Sequence, residues 1–474
     1  MRVVVVGGGI TGLLAARQHA AAGHEVVVLE AEDAPGGAVA AVELGGLPVN
    51  AGAEAFSVAG GAVERLATEL RLPTAAPRSG LSSRLVSADG VHVAPGGGVL
   101  GIPGDLSDPA VRAVLGRRGT WRARLDAVLP ARIGDRPGVT VQQLVRRRMG
   151  RAVADRLVAP LVGGVHSADP ATLDLEAVAP ALLPALREHG SLAAAVRALR
   201  TGGRSGRPGE ASAGTAVRAI TPTMAELPAA LSRDLDVRTG RRVTAVQRGA
   251  DGDWAVAAED GETHRADHLV LALSPAASRV LLAQAAPRLA AAIPETPAAP
   301  VRLVALLLDA PALDDFPSGT GALVAPHTPG IRAKALTHAS AKWEHVQQAA
   351  QRAVGPHGHV VRLSYGRPGE ELPAEDGLVD LALADASAIL QVPLTRAQLR
   401  DARIITWPEA MRPPRRGHRQ SLTDLDAALE DEPRLELVGS WRAGPGLAAI
   451  VTAAQRRGTP TPHTLPTRKD TPDE

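Results

Sequence analysis

The first thirty residues follow a strand, glycine loop, helix and strand pattern. Val3 to Val6 form an unbroken β-branched run, which is typical of a parallel strand buried on both faces. A glycine cluster over residues 7–12 follows, and the leucine- and alanine-rich stretch after it predicts a helix. His24 to Leu29 predict a second strand. The chain is therefore expected to open with a βαβ unit.

The rest of the chain divides into a helical middle flanked by strand-rich segments. Residues 60–72 predict a helix, and a hairpin turning at Asp89-Gly90 follows. Residues 107–200 carry apolar side chains at helical spacing, which predicts a mostly helical segment. Strands are predicted from residue 236 onward, with turns at Asp251-Gly252 and Asp260-Gly261, a buried strand at 268–273, and further strands at 301–309 and 359–365. Together these patterns predict an α/β fold with more than one domain.

Composition excludes several classes of function. The chain of 474 residues has a net charge of +2 and no basic run interleaved with aromatic residues, so nucleic acid is not an expected partner. The absence of cysteine excludes disulfides, iron–sulfur ligation and thiol catalysis. No signal peptide and no apolar run of about 18 residues are apparent, so a cytoplasmic protein without a transmembrane segment is expected. Lysine occurs only at Lys334, Lys342 and Lys469, which is interpreted as codon bias.

The glycine cluster has the spacing of a dinucleotide-binding fingerprint. Gly7 permits a tight turn, Gly9 allows close approach of a diphosphate, and Gly12 allows the helix to pack against the strand. The helix N-terminus offers unpaired N–H groups to the phosphates. Glu30 lies 18 residues after Gly12, at the end of the second strand, where a carboxylate is expected to accept a ribose hydroxyl. The context makes an ordinary glycine turn a poor explanation.

A second glycine pair favours FAD over NAD. Gly36 and Gly37 follow Glu30 by six and seven residues, and Gly52 and Glu54 lie in "LPVNAGAEAF". This arrangement resembles the extended fingerprint of the flavin amine oxidase superfamily, which a plain NAD dehydrogenase lacks. The expected cofactor is therefore FAD.

Over nearly its whole length the chain resembles the oxygen-dependent protoporphyrinogen and coproporphyrinogen III oxidases, most closely the actinobacterial coproporphyrinogen type. The segments that carry the resemblance, in order, include "VVVVGGGITGLLAA", "NAGAEAF", "ADRLVAPLVGGVHSADP" and "GSWRAGPGLAAIV". The resemblance implies a Rossmann-like FAD-binding domain, a mixed-sheet α+β substrate domain and a helical lobe. The expected boundaries are 1–56, 215–285 and 430–457 for the FAD-binding domain, 57–106 and 286–429 for the substrate domain, 107–199 for the lobe, 200–214 for a mobile loop and 458–474 for a disordered tail.

The resemblance also implies specific site residues. The FAD contacts fall on Gly7, Gly8, Gly9, Ile10, Thr11, Gly12, Glu30, Ala31, Gly36, Gly37, Ala38, Gly52, Ala53, Glu54, Ala55, Val243, Trp407, Pro445, Gly446 and Leu447. Arg84 matches an arginine expected to meet a substrate propionate, and Thr320 and Leu323 match positions lining the tetrapyrrole pocket. The chain departs from its relatives at Ala38, at Pro222, and at Arg412-Pro413-Pro414.

The implied activity is oxidation of coproporphyrinogen III to coproporphyrin III in haem biosynthesis. Hydride would pass to flavin N5 and O₂ would reoxidise the flavin, giving H₂O₂, so no catalytic side chain and no metal are expected. The implied partners are the porphyrinogen, O₂ and a ferrochelatase that receives the product. Three alternatives stay open: a protoporphyrinogen IX oxidase, another flavin amine oxidase-type enzyme, and a degenerate flavin- or porphyrin-binding protein.

Overall fold

A computed structural model describes residues 1–202, 217–444 and 446–457 of the chain. The predicted loop over 200–214 overlaps the end of a helix that runs to Gly202, and its remainder lies outside the described residues. The predicted tail over 458–474 also lies outside them. The strands of the described residues are β1 (Arg2–Val6), β2 (Glu25–Leu29), β3 (Ala41–Leu44), β4 (Leu47–Asn50), β5 (Phe56–Ser57), β6 (Thr74–Ala75), β7 (Arg84–Ser87), β8 (Gly90–Val93), β9 (Val217–Ile220), β10 (Asp236–Arg238), β11 (Val243–Arg248), β12 (Trp254–Ala258), β13 (Thr263–Ala266), β14 (His268–Leu271), β15 (Ala299–Asp309), β16 (Gly321–Val324), β17 (Ala335–His338), β18 (Gly358–Tyr365), β19 (Leu399–Met411) and β20 (Leu435–Leu437).

Helices connect and cover these strands. A π-helical stretch at Ala154–Val158 joins two of the helices of the lobe into one continuous element. The α-helices of the described residues are α1 (Ile10–Ala21), α2 (Ala62–Glu69), α3 (Pro109–Arg124), α4 (Val141–Arg148), α5 (Arg151–Val153), α6 (Ala159–His166), α7 (Leu175–Val178), α8 (Leu182–His189), α9 (Leu192–Gly202), α10 (Glu226–Ser232), α11 (Pro275–Ala285), α12 (Pro287–Ala292), α13 (Ala339–Lys342), α14 (Glu344–Val354), α15 (Leu378–Leu390), α16 (His418–Glu430), α17 (Ser440–Ala443) and α18 (Leu447–Arg457).

A parallel five-stranded sheet in the order β10-β2-β1-β14-β20 forms the first unit of the fold. Both faces of β1 are covered, because Val4 and Val6 pack into one core and Val3 and Val5 into another. The unbroken valine run predicted this burial. The antiparallel sheet β11-β12-β13 follows, as the turns at residues 251–252 and 260–261 predicted. The predicted α/β fold class is confirmed.

A mixed seven-stranded sheet in the order β19-β15-β18-β17-β16-β7-β8 forms the second unit. Strand β7 pairs in parallel with β16, so residues from early and late parts of the chain build one sheet. The predicted β7–β8 hairpin is present, but Ser87 pairs with Gly90, which places Ala88 and Asp89 at the turn rather than Asp89-Gly90. Helix α15 covers one face of this sheet with an apolar core.

The helical lobe has its own apolar core, whereas helices α12 and α16 pack against the five-stranded sheet. Helices α3 to α9 bury a continuous apolar cluster that includes Leu144, Val162 and Leu186. Leu289 of α12 and Leu425 of α16 pack into the core of the five-stranded sheet. The expected boundaries place these helices in the substrate domain, and that division stays a prediction; the apolar faces of both helices are buried on the side of the parallel sheet. None of the described helices is long and apolar enough to cross a bilayer.

Candidate functional site

The glycine loop between β1 and α1 leaves the start of α1 open to an anion. Gly7 adopts φ of 103°, a region that favours glycine. A Cβ on Gly12 would lie 2.0 Å from the Gly7 carbonyl oxygen, so only glycine lets the helix approach the loop this closely. No side chain caps α1 at Gly9, and its first turn carries no acidic residue. This arrangement suits a diphosphate, which would meet free N–H groups and the positive end of the helix dipole.

Glu30 fixes the shape of the loop. Its Oε2 accepts a hydrogen bond of 2.6 Å from the Gly8 N–H, and its Oε1 accepts one of 2.9 Å from the Glu32 N–H. The residue is 9% exposed, so the carboxylate is held beside the loop at the carboxyl end of β2. A carboxylate has about four lone-pair sites and two are used here, so it can still accept from a ribose hydroxyl.

Two further chain segments pack against the loop and form a backbone cradle with it. The Gly36 N–H donates to the Gly8 carbonyl at 2.9 Å, and Gly36 and Gly37 both adopt positive φ. The Ala53 N–H donates to the Ala38 carbonyl at 2.9 Å. A Cβ on Gly52 would lie 2.1 Å from that same carbonyl oxygen. We call residues 7–12, 36–38 and 52–53 the glycine cradle.

A cavity of about 550 Å³ opens beside the cradle. The seven-stranded sheet contributes Val301, Leu303 and Arg362 to its walls, and the lobe contributes Leu173 and Val178. The cavity is thus bounded by both units of the fold and by the lobe. The predicted cofactor residues that line it are Gly9, Ile10, Thr11, Gly36, Gly37, Ala38, Gly52, Ala53, Ala55, Trp407, Gly446 and Leu447.

The other predicted cofactor residues have different positions. Gly7, Gly8, Gly12 and Glu30 shape the loop without lining the cavity, as described above. Ala31 and Val243 do not line it either; Ala31 follows β2, and Val243 begins β11 opposite Ala258. Pro445 lies outside the described residues.

Glu54 faces a cluster of donors instead of the cavity. Its carboxylate receives hydrogen bonds from Arg362 Nη2 at 2.7 Å and Trp343 Nε1 at 2.7 Å, and Lys342 Nζ lies 3.5 Å away. Burial disfavours the charged carboxylate, yet Lys342, Arg362 and the indole donor lower its pKa to about 2. Glu54 therefore joins the cradle to the seven-stranded sheet, and its role toward FAD stays a prediction.

The three predicted substrate residues do not line this cavity. Arg84 begins β7, where it pairs with Ala322 of β16 and Val93 of β8. Thr320 precedes β16, and its carbonyl accepts from the His338 N–H at 3.2 Å. Leu323 lies against the cavity wall, because a Cβ on the lining residue Gly164 would come within 2.6 Å of its Cδ2. Substrate contact by these three residues stays a prediction.

Sequence reasoning missed Lys334 and Ser167, which line the cavity together. Lys334 Nζ donates to Ser167 Oγ at 2.6 Å and to the Gly366 carbonyl at 2.8 Å. Burial and the nearby Arg367 lower the pKa of the Lys334 ammonium to about 7. The composition held one signal, because Lys334 is one of three lysines in an arginine-rich chain.

The sequence predicted no metal site from the spacing of its histidines. Among the residues described, His19, His268 and Glu436 bring one ligand atom each within 4.8 Å of one another. His268 begins β14 beside Val3, so this group lies at the end of the sheet away from the glycine loop. Glu436 is also paired with Arg457 at 3.4 Å, and none of the three lines the cavity.

Comparison with known proteins identifies the family. A model of the flavin-containing amine oxidoreductases matches residues 10–452, which is most of the chain. The match includes the seven-stranded sheet and all of the glycine cradle except residues 7–9. The chain belongs to this family. As a flavin-containing amine oxidoreductase it is an oxidoreductase with FAD as cofactor. The glycine cluster over residues 7–12 and the pair Gly36-Gly37 predicted this cofactor.

Individual relatives agree with the resemblance found in the sequence. A coproporphyrinogen III oxidase from Mycobacterium leprae is 32% identical over 95% of this chain and 96% of its own length. Another from Mycobacterium tuberculosis strain H37Rv is 33% identical over 96% of each chain. An Exiguobacterium crystal structure, provisionally named a protoporphyrinogen oxidase, has a TM-score of 0.81 over 96% of this flavin-containing amine oxidoreductase and 97% of itself, at 22% identity. The last comparison concerns the fold alone.

Proposed function

We propose that this protein oxidises coproporphyrinogen III to coproporphyrin III, with O₂ as the final electron acceptor. The observation that carries the proposal is the cavity, which combines the glycine cradle with apolar walls and cationic side chains. The relatives named coproporphyrinogen III oxidase, alike over nearly their full length, support the same substrate. When bound, FAD supplies the hydride acceptor. Three two-electron steps remove six hydrogens and turn three O₂ into three H₂O₂.

The residues of the chain have positioning roles in this reaction. Val301 and Leu303 of β15, with Leu173 and Val178 of the lobe, provide an apolar wall for a flat macrocycle. The cradle holds the diphosphate, and Trp407 stands at the cavity with its indole N–H fixed on the Ala51 carbonyl at 2.8 Å. No acid–base side chain is assigned to the chemistry, because the hydride transfer belongs to the cofactor. A ferrochelatase-type enzyme that receives the product is part of the proposal.

The aromatic residues of the cavity argue against an amine substrate. The aromatic side chains that line it are Trp407 and Trp441, and their indole N–H groups donate to the carbonyls of Ala51 and Leu273. No described tyrosine or phenylalanine lines this cavity. An aromatic cage around a substrate nitrogen would therefore have to be built from these two indoles alone, and each is already anchored on a backbone carbonyl.

The test is direct turnover by the purified, FAD-loaded protein. Coproporphyrinogen III, protoporphyrinogen IX and a panel of amines are supplied separately in air, while porphyrin fluorescence and peroxide are recorded. We expect coproporphyrin and peroxide to form fastest from coproporphyrinogen III. Faster oxidation of protoporphyrinogen IX would transfer the proposal to that substrate. Absence of peroxide with both porphyrinogens would contradict it, and porphyrin binding without turnover would favour a binding protein.

A further inference from the structure

Among the described residues, three cationic side chains line the cavity, and they differ in how their charges are balanced. Arg362 is paired with Glu54 at 2.7 Å, and Arg412 is paired with Glu409. Lys334 has no carboxylate within ion-pair distance among the residues that the structure describes. Its two hydrogen-bond acceptors, Ser167 Oγ and the Gly366 carbonyl, are both neutral. Lys334 is thus the cavity cation whose charge lacks a counterion.

The surroundings of Lys334 make an uncompensated ammonium costly. The residue is 1% exposed and precedes β17 in the seven-stranded sheet. Arg367 donates to the carbonyls of Val324 and Ala333 and adds a second positive charge nearby, which Glu370 pairs at 3.8 Å. A buried charge without a partner is strongly unfavourable, so an anion that reaches Nζ gains mainly from the ammonium of Lys334.

The contacts of Lys334 also locate this charge within the cavity. Ser167 belongs to the lobe, where it ends α6, and Gly366 follows β18 of the sheet. Neither partner belongs to the glycine cradle, where the diphosphate of FAD is expected. The apolar residues Leu173 and Leu303 line the same cavity from the lobe and the sheet. The neighbourhood of Lys334 therefore offers one positive charge at the edge of an apolar wall.

We propose that Lys334, held by Ser167, is the binding site for a carboxylate of the tetrapyrrole substrate. The inference rests on the proposed function, because it assigns one propionate of the porphyrinogen to Lys334. An ammonium has three N–H donors and two are used on neutral oxygens, so one is available to a carboxylate. The carboxylate fixes the edge of the macrocycle while the apolar walls hold its face.

The experiment measures binding of coproporphyrin III, the aromatic tetracarboxylate, to the FAD-loaded protein by fluorescence titration. Lys334→Met keeps the length of the side chain and removes its charge, and we expect the Kd to rise roughly 10- to 100-fold. Arg396→Met is the matched control, since it removes one positive charge at an exposed pair with Asp380. That variant should bind as the wild type does. Coproporphyrin tetramethyl ester should bind equally to wild type and Lys334→Met.

The pH dependence of coproporphyrin III binding to the wild-type protein gives a second readout. Only the ammonium form attracts the carboxylate, and its pKa without ligand is about 7. The charged groups nearby are Arg367 and the Glu370 carboxylate paired with it, and neither changes charge over the range from about pH 6.5 to 8.5. Since loss of the charge is expected to cost 10- to 100-fold, binding of coproporphyrin III should weaken roughly 6- to 20-fold between about pH 6.5 and 8.5. The same series on Lys334→Met should be flat.

The outcomes separate this subsite from the proposed reaction. Wild-type affinity and pH slope in Lys334→Met would overturn the subsite, even if the enzyme oxidises coproporphyrinogen III. A Lys334-dependent affinity without turnover would keep the subsite and reject the reaction. Lower turnover with unchanged coproporphyrin binding would assign Lys334 to the oxidation step and overturn its role in binding. If Lys334→Met does not fold, Ser167→Ala replaces it, with an expected loss of roughly 3- to 10-fold.

Discussion

Arg362 Nη2 donates a hydrogen bond of 2.7 Å to Glu54 Oε2, and this contact joins the two units of the fold at the cavity. Arg362 stands on β18, whereas Glu54 follows the cradle segment 52–53. The same guanidinium donates to the carbonyls of Asn50 and Gly52 at 3.1 and 3.0 Å. One side chain of the seven-stranded sheet thereby sets the position of a cradle segment.

We predict that Arg362→Met destabilises the protein by about 3 kcal/mol, because it removes the closest charged partner of the buried Glu54 carboxylate and leaves Lys342 and Trp343 to hold it. Side-chain exposure is 16% for Arg362 and 10% for Glu54, so water compensates little. The measurement is denaturant unfolding of the FAD-free protein. Arg396→Met, at an exposed pair, should cost no more than about 1 kcal/mol. Equal losses in the two variants would contradict the structural role of Arg362.

The low pKa of Glu54 predicts how this contribution depends on pH. The folded pKa is about 2 against an ordinary value of 4.5, so the stabilisation is complete above 4.5 and disappears as the pH falls toward 2. The difference in unfolding free energy between wild type and Glu54→Gln should shrink by about 3 kcal/mol from about pH 5 to pH 2. A difference that stays constant over this range would show that Glu54 is not held ionised by its neighbours.

Alanine substitution at two glycines of the first loop should have different effects, one on FAD binding and the other on stability. A Cβ on Gly9 meets no atom within 4 Å and its backbone is extended, so we expect Gly9→Ala to fold normally but to bind FAD at least about 10-fold more weakly. A Cβ on Gly12 would lie 2.0 Å from the Gly7 carbonyl oxygen, so Gly12→Ala should lose stability itself. Thermal unfolding without FAD and flavin titration distinguish the two effects. Normal FAD affinity in Gly9→Ala would place the diphosphate elsewhere.

Arg84 tests the resemblance against the geometry of the cavity. The resemblance assigns Arg84 to a substrate propionate, but the cavity beside the cradle is lined by Lys334 and not by Arg84. We therefore predict that Arg84→Met changes the Kd for coproporphyrin III by less than about twofold, against the larger loss at Lys334. Fluorescence titration of both variants decides the matter. A larger effect at Arg84 would mean that the macrocycle extends beyond this cavity.

The βαβ unit and the use of FAD could be predicted from residues close together in the chain: the valine run of β1, Gly7, Gly9 and Gly12, and the pair Gly36-Gly37. Local spacing is enough for these features, because a tight turn and a helix start are formed by consecutive residues. The family could be predicted as well, from segments that follow in order along nearly the whole chain. The cofactor contacts of the cradle were implied by the resemblance, and contact of these residues with FAD stays a prediction.

Which charged side chains contact one another near the cavity depends on the tertiary structure and could not be predicted from the sequence. Lys334 contacts Ser167 across 167 residues, and Arg362 contacts Glu54 across 308. The tertiary structure also decided that α12 and α16 pack on the parallel sheet, because Leu289 and Leu425 find their apolar partners there. Whether a lysine is a solvated surface charge or a buried cation depends on the elements packed around it, and a linear pattern of residues does not contain that information.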